Sequence, residues 1–325
     1  MTILIAILSR LAKAALTLLA IAVLNFCLLH AAPGDPAVVL AGEAGAADEQ
    51  MIAQLRERFG LAQPLYVQLG KYIAGIVQLD LGYSFRQSAP VIDLIAERLP
   101  ATLLLTLTAF VISLTCGIAL GVAAAARVGK VSDSLLTTLA LLFYATPLYW
   151  LALMAVLVFS VWLGWLPGFG YETVGSDFSG LARALDILKH LILPALTLGL
   201  FFMAVYMRMT RASMLEVSTA DFVKTAKAKG LSGPVIRRRH ILRNAILPVV
   251  TLAGLQAGQL VGGAVLTETV FAWPGIGRLM FESLAARDYN TILGVFLVSA
   301  AMVILFNIVT DIVYRIVDPR IGARA

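Results

Sequence analysis

Long apolar runs, separated by short charged segments, make up most of this chain. They predict six membrane-spanning helices, near residues 8–31, 99–126, 134–164, 190–210, 245–268 and 291–315. Each run holds about 20 or more mostly apolar residues, which is the length that a helix needs to cross a bilayer. Backbone N–H and C=O groups in lipid need partners within the chain, so each span is expected to be a helix. The pattern therefore predicts an all-α membrane protein.

The spans divide the chain into predicted regions. In order, these are an N-terminal span (1–31), an extracytoplasmic segment (32–98), a core transmembrane domain (99–315) and a cytoplasmic tail (316–325). Two helices are expected outside the membrane, in DEQMIAQLRERFG and PLYVQLGKYIAGIVQ, because apolar residues recur there at helical spacing. A secretory signal peptide is an alternative for the first run, since Arg10 and Lys13 precede it. That run is longer than a signal core usually is.

Composition and charge support the membrane assignment and orient the spans. Hydrophobic residues make up 60% of the chain and charged residues 14%, whereas soluble domains carry roughly 25% charged residues. The formal net charge is +6, and surplus Lys and Arg in membrane proteins gather on the cytoplasmic side. The loop 212–244 holds seven basic residues against Glu216 and Asp221, so we expect this loop and both termini in the cytoplasm. Cys27 and Cys116 fall inside apolar runs and are expected to be small buried side chains.

The basic loop carries helix signals of its own. Ser218 and Asp221 have the S-x-x-D spacing of a capping box, and Gly230 is placed to end a helix. These signals predict a short helix over 219–229, after which Ser232-Gly233-Pro234 starts another. A DNA-binding helix-turn-helix has a similar pattern, but a loop held at both ends by spans leaves no room for a third packed helix. A solvated basic loop explains the arginines but not the cap, the glycine or the small residues.

Several phrases along the chain resemble one family. ADFVKTAKAKGLS, RHILRNAILPVVT and ETVFAWPGIGR, with PGDP and ERLPATLLLT upstream and DPRI near the end, are typical of permease subunits of binding-protein-dependent ABC importers. The branch that they resemble most transports dipeptides, oligopeptides or nickel. The match covers nearly the whole chain. Lys224-Thr225-Ala226 stands where the general family pattern has Glu-Ala-Ala, a departure that resembles the same branch.

The resemblance implies the type I ABC importer permease fold in the bacterial inner membrane, together with a set of partners. These are a second, homologous permease subunit, two ABC ATPase subunits and an extracytoplasmic substrate-binding protein. Residues about 219–235 would form a coupling helix seated in a groove of the ATPase. The residues expected to act in this coupling are Asp221, Lys224, Thr225, Ala226, Ala228, Lys229, Gly230, Leu231, Arg238 and His240.

The chain is expected to be a transport subunit rather than an enzyme. It contains no G-x-x-x-x-G-K-[ST] phosphate-binding loop, so ATP and Mg²⁺ would bind to the partner ATPase subunits and no cofactor to this chain. We also expect no metal site, although His190 lies on the same span as Met203 and Met207. No cluster of His, Cys, Asp or Glu ligands accompanies these residues.

The fifth predicted span carries two kinds of surface. Gly254, Gly258 and Gly262 form a G-x-x-x-G face that permits close approach of another helix. Polar positions on the opposite side and at the end of the span are candidates for lining a translocation pathway or for hydrogen bonding between helices. They are Gln256, Gln259, Gly263, Thr267 and Glu268, of which the last is equally well placed for an ion pair with an arginine. The family resemblance places a gate-region element at the turn that follows, with Pro274, Gly275 and Gly277.

A short peptide is the expected substrate, and nickel or a nickel chelate is the alternative within the same branch. A rival of another class is a secondary transporter driven by an ion gradient. Such a carrier usually has more midspan carboxylates, or broken helices at matching places in its two halves, and neither pattern is visible in the sequence. We expect lipid, but no nucleic acid, as a partner.

Overall fold

The computed structural model describes residues 2–31, 63–84 and 86–317, which are mostly helical. The helices are α1 (Thr2–Ala31), α2 (Leu65–Val77), α3 (Val91–Ala125), α4 (Val131–Ala145), α5 (Leu148–Ala155), α6 (Gly180–Ser218), α7 (Asp221–Ala228), α8 (Gly233–Val235), α9 (Leu242–Val270), α10 (Ile276–Ala286) and α11 (Tyr289–Val317). Two π-helical segments extend them, Val156–Trp162 after α5 and Ile236–Ile241 between α8 and α9. Strands β1 (Tyr83–Ser84) and β2 (Ala89–Pro90) pair antiparallel.

Most of the predicted spans correspond to long apolar helices. Four of these in the described ranges are long and apolar enough to cross a membrane: α3, α6, residues 233–258 and residues 289–310. The pair formed by α4 with α5 and its π-helical extension makes a fifth if it is counted as one span. Helix α1 covers the first predicted span, but its apolar stretch, Ala12–Leu28, is shorter. The helix predicted in DEQMIAQLRERFG lies outside the described residues, whereas the one in PLYVQLGKYIAGIVQ is confirmed as α2.

The third predicted span is not one straight helix. Helix α4 ends at Ala145, α5 begins at Leu148, and the two are bent by 103°. Pro147 lies at the break and has no N–H to donate, and it disfavours the helical conformation of the preceding Thr146. Thr146 is extended, with ψ of 131°. The apolar run from 134 to 164 therefore contains a corner that its hydropathy does not indicate.

Three smaller expectations were wrong. Helix α6 begins at Gly180, so the predicted outer loop 165–189 is partly helical. The capping box does not form, because α6 continues through Ser218, whose hydroxyl donates to the carbonyl of Leu215 at 2.7 Å. Cys27 and Cys116 are free and exposed. An apolar helix in a membrane has a lipid-facing side, so a position in an apolar run does not imply burial within the protein.

The described residues form two compact units, of which the first comprises those of Met1–Pro100 and Gly275–Ile304. A buried carboxylate organises one part of it. Asp288 accepts hydrogen bonds from the hydroxyls of Ser84 at 2.5 Å and Thr291 at 2.6 Å. The side-chain amide of Asn290 donates to the carbonyl of Tyr83 at 3.0 Å. These bonds fix the β-hairpin to the start of α11.

The second unit comprises Ala101–Pro274 and the described residues from Leu305 onward. Its helices approach closely where α3 presents two glycines to α6. A Cβ added at Gly117 would lie 2.6 Å from the Cβ of Tyr206, and one at Gly121 would lie 2.6 Å from the Cβ of Thr210. From the small-residue spacing of Gly117 and Gly121 in the second predicted span, the sequence predicts that both serve close packing, and the structure confirms this. Because any larger residue would collide there, these glycines set the distance between α3 and α6.

We expect Gly121→Ala to destabilise the protein by about 1–3 kcal/mol, because its methyl group would overpack a contact that includes the backbone carbonyl of Met207 at 2.7 Å. Gly70→Ala in α2 is the matched control, since its Cβ would meet no atom within 4 Å. The measurement is the midpoint of thermal unfolding of the purified complex in detergent. Equal midpoints for the two variants would contradict the close contact.

Candidate functional site

The basic loop folds into a short helix with a glycine stop, as predicted. Helix α7 ends at Ala228, and Gly230 has a left-handed φ of +75°. The N–H of Gly230 donates to the carbonyl of Lys227 at 2.9 Å, and the N–H of Leu231 to that of Ala226 at 3.3 Å. This is the bonding pattern of a Schellman C-cap, in which glycine supplies the left-handed residue without steric cost. The path of the chain after α7 therefore depends on Gly230.

One face of α7 packs against its own chain. Val223 is 0% exposed and Ala226 is 4% exposed. Together they join an apolar cluster that reaches α3, α6 and α9, which we call the coupling cluster. Its other buried members are Met214, Ile236, Ile241 and Ala245, with Val122, Ala125, Val217 and Leu242 packed around them. A displacement of α7 would therefore press on the ends of three membrane helices at once.

The remaining surface of α7, together with the residues just after it, is exposed and partly apolar. Phe222 is 43% exposed and Leu231 is 40% exposed, and Thr225 and Ala228 lie on the surface beside them. The small residues Ala226 and Ala228, which are close in sequence, therefore lie on two different surfaces. Ala226 packs inside its own chain, while Ala228 remains available to a partner. Large apolar side chains beside basic ones at a surface are typical of a protein interface.

The charged coupling candidates also lie mainly on the surface. Lys224 donates from Nζ to Asp221 Oδ1 at 2.8 Å, between two exposed side chains. Arg238 is exposed and His240 is half-buried within the π-helical segment. The carbonyl of His240 accepts a hydrogen bond from Asn244 Nδ2 at 2.7 Å. A π-helical turn interrupts the regular bonding of a helix, and here it lies where the coupling loop enters α9.

The polar positions of α9 differ in their environments. Thr267 and Glu268 are buried, and Glu268 accepts a hydrogen bond from the hydroxyl of Thr102 at 2.6 Å. Gln256 carries a buried Oε1 without a hydrogen-bond partner among the described residues. A buried amide oxygen in a span is costly unless it is paired, so a hydrogen-bond partner beyond the described groups is expected there. The surroundings of Gln259 and Gly263 are not among the described features of α9.

The glycine face of α9 is confirmed at one end only. A Cβ at Gly254 would collide with Thr310 Cγ2 of α11, whereas one at Gly262 would meet no atom within 4 Å. Gly254 therefore permits a close helix contact within the chain. Gly262 has room beside it for another molecule.

The predicted gate-region turn has a buried anchor. Trp273 is 0% exposed, and its indole Nε1 donates to the carbonyl of Ala101 at 2.9 Å. Its backbone N–H donates to the carbonyl of Glu268 at 2.8 Å, and its ring meets Tyr171 edge-on, with 4.8 Å between the ring centroids. Pro274 then leads to Gly275, the N-cap of α10, in which Gly277 is buried.

Sequence reasoning missed three of these contacts. It did not find Trp273 as an anchor or Thr102 as the partner of Glu268. It also missed the ion pair in which Nε and Nη2 of Arg211 each donate to a carboxylate oxygen of Asp133 at 2.8 Å. Only the ion pair could have been anticipated from the sequence, because the distribution of Lys and Arg predicts that the start of α4 and the end of α6 lie on the same side of the membrane. The described residues contain no group of three or more His, Cys, Asp or Glu that could hold a metal ion.

Known proteins resemble the chain along nearly its whole length. It is 41% identical over 318 residues to the dipeptide transport system permease protein DppB of Alkalihalophilus pseudofirmus, covering 94% of this chain and 95% of that protein. It is 39% identical over 332 residues to DppB of Escherichia coli, covering 97% and 98%. The methionine ABC transporter MetNI, in an inward-facing conformation, has a similar fold, with a TM-score of 0.55 and 18% identity over 69% of this chain and 96% of that one.

Two family models divide the chain between them. Residues 3–106 match the N-terminal region of the membrane components of binding-protein-dependent transport systems. Residues 117–323, which include α7 and the coupling cluster, match the model for the inner membrane component of such systems. This chain therefore belongs to the family of inner membrane components of binding-protein-dependent transport systems.

Proposed function

We propose that this chain is one of two homologous permease subunits of an ATP-driven importer of short peptides. The observation that carries the proposal is the two-faced helix α7, with Val223 and Ala226 in the coupling cluster and Phe222 and Leu231 exposed. Such a helix can transmit force from a partner to the spans. The two relatives described above, both dipeptide transport system permease proteins, support the peptide substrate.

The partners follow from the family and from the exposed face of α7. Two ATPase subunits would bind ATP and Mg²⁺ and hydrolyse the nucleotide, each receiving a coupling helix in a groove. A binding protein would deliver the peptide from the outer side. The loop 212–244 and both termini would lie in the cytoplasm, the segment 32–98 would lie outside, and residues 99–315 would form the core.

The mechanism follows from the packing of α7. Closure of the ATPase subunits would move α7, and the coupling cluster would pass that movement to α3, α6 and α9. Because close-packed interfaces shift between discrete arrangements rather than deforming continuously, the spans would change from one access state to the other. ATP is required because it favours one of these states over the other.

The pathway is proposed to run along the polar side of α9. The partial exposure of Gln256 supports this assignment, because a polar side chain in a span is costly against lipid and favours a polar neighbour such as water, peptide or the second permease. Gln259, Gly263 and Thr267 extend the same side, and Glu268 lies at its end. The turn through Pro274, Gly275 and Gly277 is proposed to belong to the gate region, with Trp273 anchoring it.

Gly230→Val is expected to uncouple ATP hydrolysis from transport. A Cβ at Gly230 would meet no atom within 4 Å, so the substitution acts through the backbone alone. At a φ of +75° it costs about 1 kcal/mol or more and misdirects the chain after α7. We expect labelled dipeptide uptake per ATP hydrolysed to fall severalfold in proteoliposomes that contain all subunits and the binding protein.

Gly70→Val in α2 is the matched control for this experiment, because it lies outside the coupling loop, its Cβ also meets no atom within 4 Å and its φ is not left-handed. It should retain near wild-type coupling. Equal coupling ratios for the two valine variants would refute the proposed role of the glycine stop. Uptake of nickel in place of dipeptide by the wild type would favour the alternative substrate, and uptake driven by an ion gradient without ATP would favour a secondary transporter.

The orientation is tested with single cysteines in a background where Cys27 and Cys116 are replaced by alanine. Val174, which is 97% exposed, precedes α6, and Ser232 is exposed after α7. A cysteine at Val174 should react with a membrane-impermeant thiol reagent in intact cells, and one at Ser232 should react only after the cells are opened. The reverse pattern would overturn the assignment of the basic loop to the cytoplasm.

A further inference from the structure

A basic cleft lies between α4 and α6, apart from α7, and at one end it reaches Leu252 of α9. One cavity of about 510 Å³ is lined at its polar wall by Lys130, Ser134, Thr138 and Arg211. A second cavity of about 520 Å³ shares Thr137 and Arg211 with the first and adds Arg208. Because they share these two lining residues, the cavities lie side by side at the start of α4 and the end of α6, and together we call them the basic cleft.

The cleft carries surplus positive charge. It contains three cations, Lys130, Arg208 and Arg211, and one carboxylate, Asp133. The Asp133 carboxylate is already neutralised by the two-point ion pair with Arg211 at 2.8 Å. Lys130 and Arg208 are exposed, and neither forms a salt bridge within the described ranges. Lys130 and the hydroxyls of Ser134 and Thr138 line the first cavity, and Arg208 lines the one beside it, so the cleft offers cations and hydroxyl donors to a phosphate group.

The same part of α4 exposes an apolar stripe. Its members are spaced three or four residues apart and so lie on one side of the helix: Val131 at 76% exposed, Leu135 at 64%, Leu139 at 50% and Leu142 at 61%. Val131 also lines the first cavity. The stripe therefore starts at the mouth of the basic cleft and runs along the span. In a bilayer, such a surface faces acyl chains or another membrane helix.

We propose that this cleft binds the phosphate of an anionic phospholipid whose acyl chains lie along the apolar stripe of α4. Basic pockets between membrane helices near the bilayer surface bind acidic headgroups. Free phosphate would satisfy the cations and hydroxyls alone, but it would not cover Val131, Leu135 and Leu142. The lipid satisfies both surfaces at once. Because the ion pair between Asp133 and Arg211 joins α4 to α6 inside the cleft, the bound lipid would hold those two helices together.

The test measures lipid binding to the complete transporter, with all permease and ATPase subunits, after exchange out of its native lipids. Native mass spectrometry counts the molecules of phosphatidylglycerol or phosphatidylcholine that remain bound as the concentration of each lipid is raised. The wild type should bind phosphatidylglycerol in preference to phosphatidylcholine. Removing both unpaired cations with Lys130→Gln and Arg208→Gln should weaken phosphatidylglycerol binding by about 25-fold, since each cation contributes about fivefold.

The matched control is Lys71→Gln with Lys189→Gln, which removes two exposed cations from α2 and from the other end of α6. It should leave phosphatidylglycerol binding unchanged. The combination of Ser134→Ala and Thr138→Val keeps all charges and alters only exposed hydroxyls, and it should weaken binding severalfold. This second variant separates loss of the site from loss of the folded complex.

Three results would overturn the proposal. The first is equal phosphatidylglycerol affinity in the wild type and in the Lys130→Gln, Arg208→Gln variant. The second is equal binding of phosphatidylglycerol and phosphatidylcholine to the wild type. The third is displacement of the lipid by excess inorganic phosphate. The last result would identify a site for a small free anion. Each result is independent of whether the transported substrate is a peptide.

Discussion

The packing of Val223 and Ala226 beneath α7 is the interaction on which the proposed coupling depends. These two small side chains are three residues apart, so they share one side of the helix and place α7 directly on the ends of α3, α6 and α9. Phe222 and Leu231 remain exposed beside these buried residues, where a partner can reach them. One short helix would thus connect a soluble partner with the membrane core, because its buried apolar residues pack on the spans and its exposed ones are open to the partner.

The membrane part of the second unit contains a close contact between helices. In the proposed mechanism, this contact would transmit a displacement of α7, which loosely packed helices would not. Gly117 and Gly121 allow α3 to approach the backbone of α6, and this contact lies near Val122 and Ala125, which belong to the coupling cluster. Close-packed helices move as rigid bodies when one end is pushed. The break at Pro147 interrupts the third span and provides a place where the direction of the chain changes.

The sequence predicted features that depend on local chemistry. The glycine stop at Gly230, the helix before it and the close approach at Gly117 and Gly121 all follow from what glycine permits. It did not predict how Ala226 and Ala228 divide between two surfaces, because that depends on which neighbours surround the helix. The bond between Trp273 and the carbonyl of Ala101 joins residues 172 positions apart, a contact that no local pattern encodes. Pro147 is a signal for the corner in the third span, but the long apolar run around it favours a single uninterrupted helix, which is what the sequence analysis predicted.

The central claim is that the exposed face of α7 contacts an ATPase subunit, and cross-linking in native membranes tests it most directly. A photoreactive amino acid at Ala228, which is exposed on α7, should form a covalent product with the ATPase. The same amino acid at Leu181, which is 76% exposed at the start of α6, should form none. A cross-link to the ATPase from Leu181, or its absence from Ala228 in a complex that still imports dipeptide, would contradict the account.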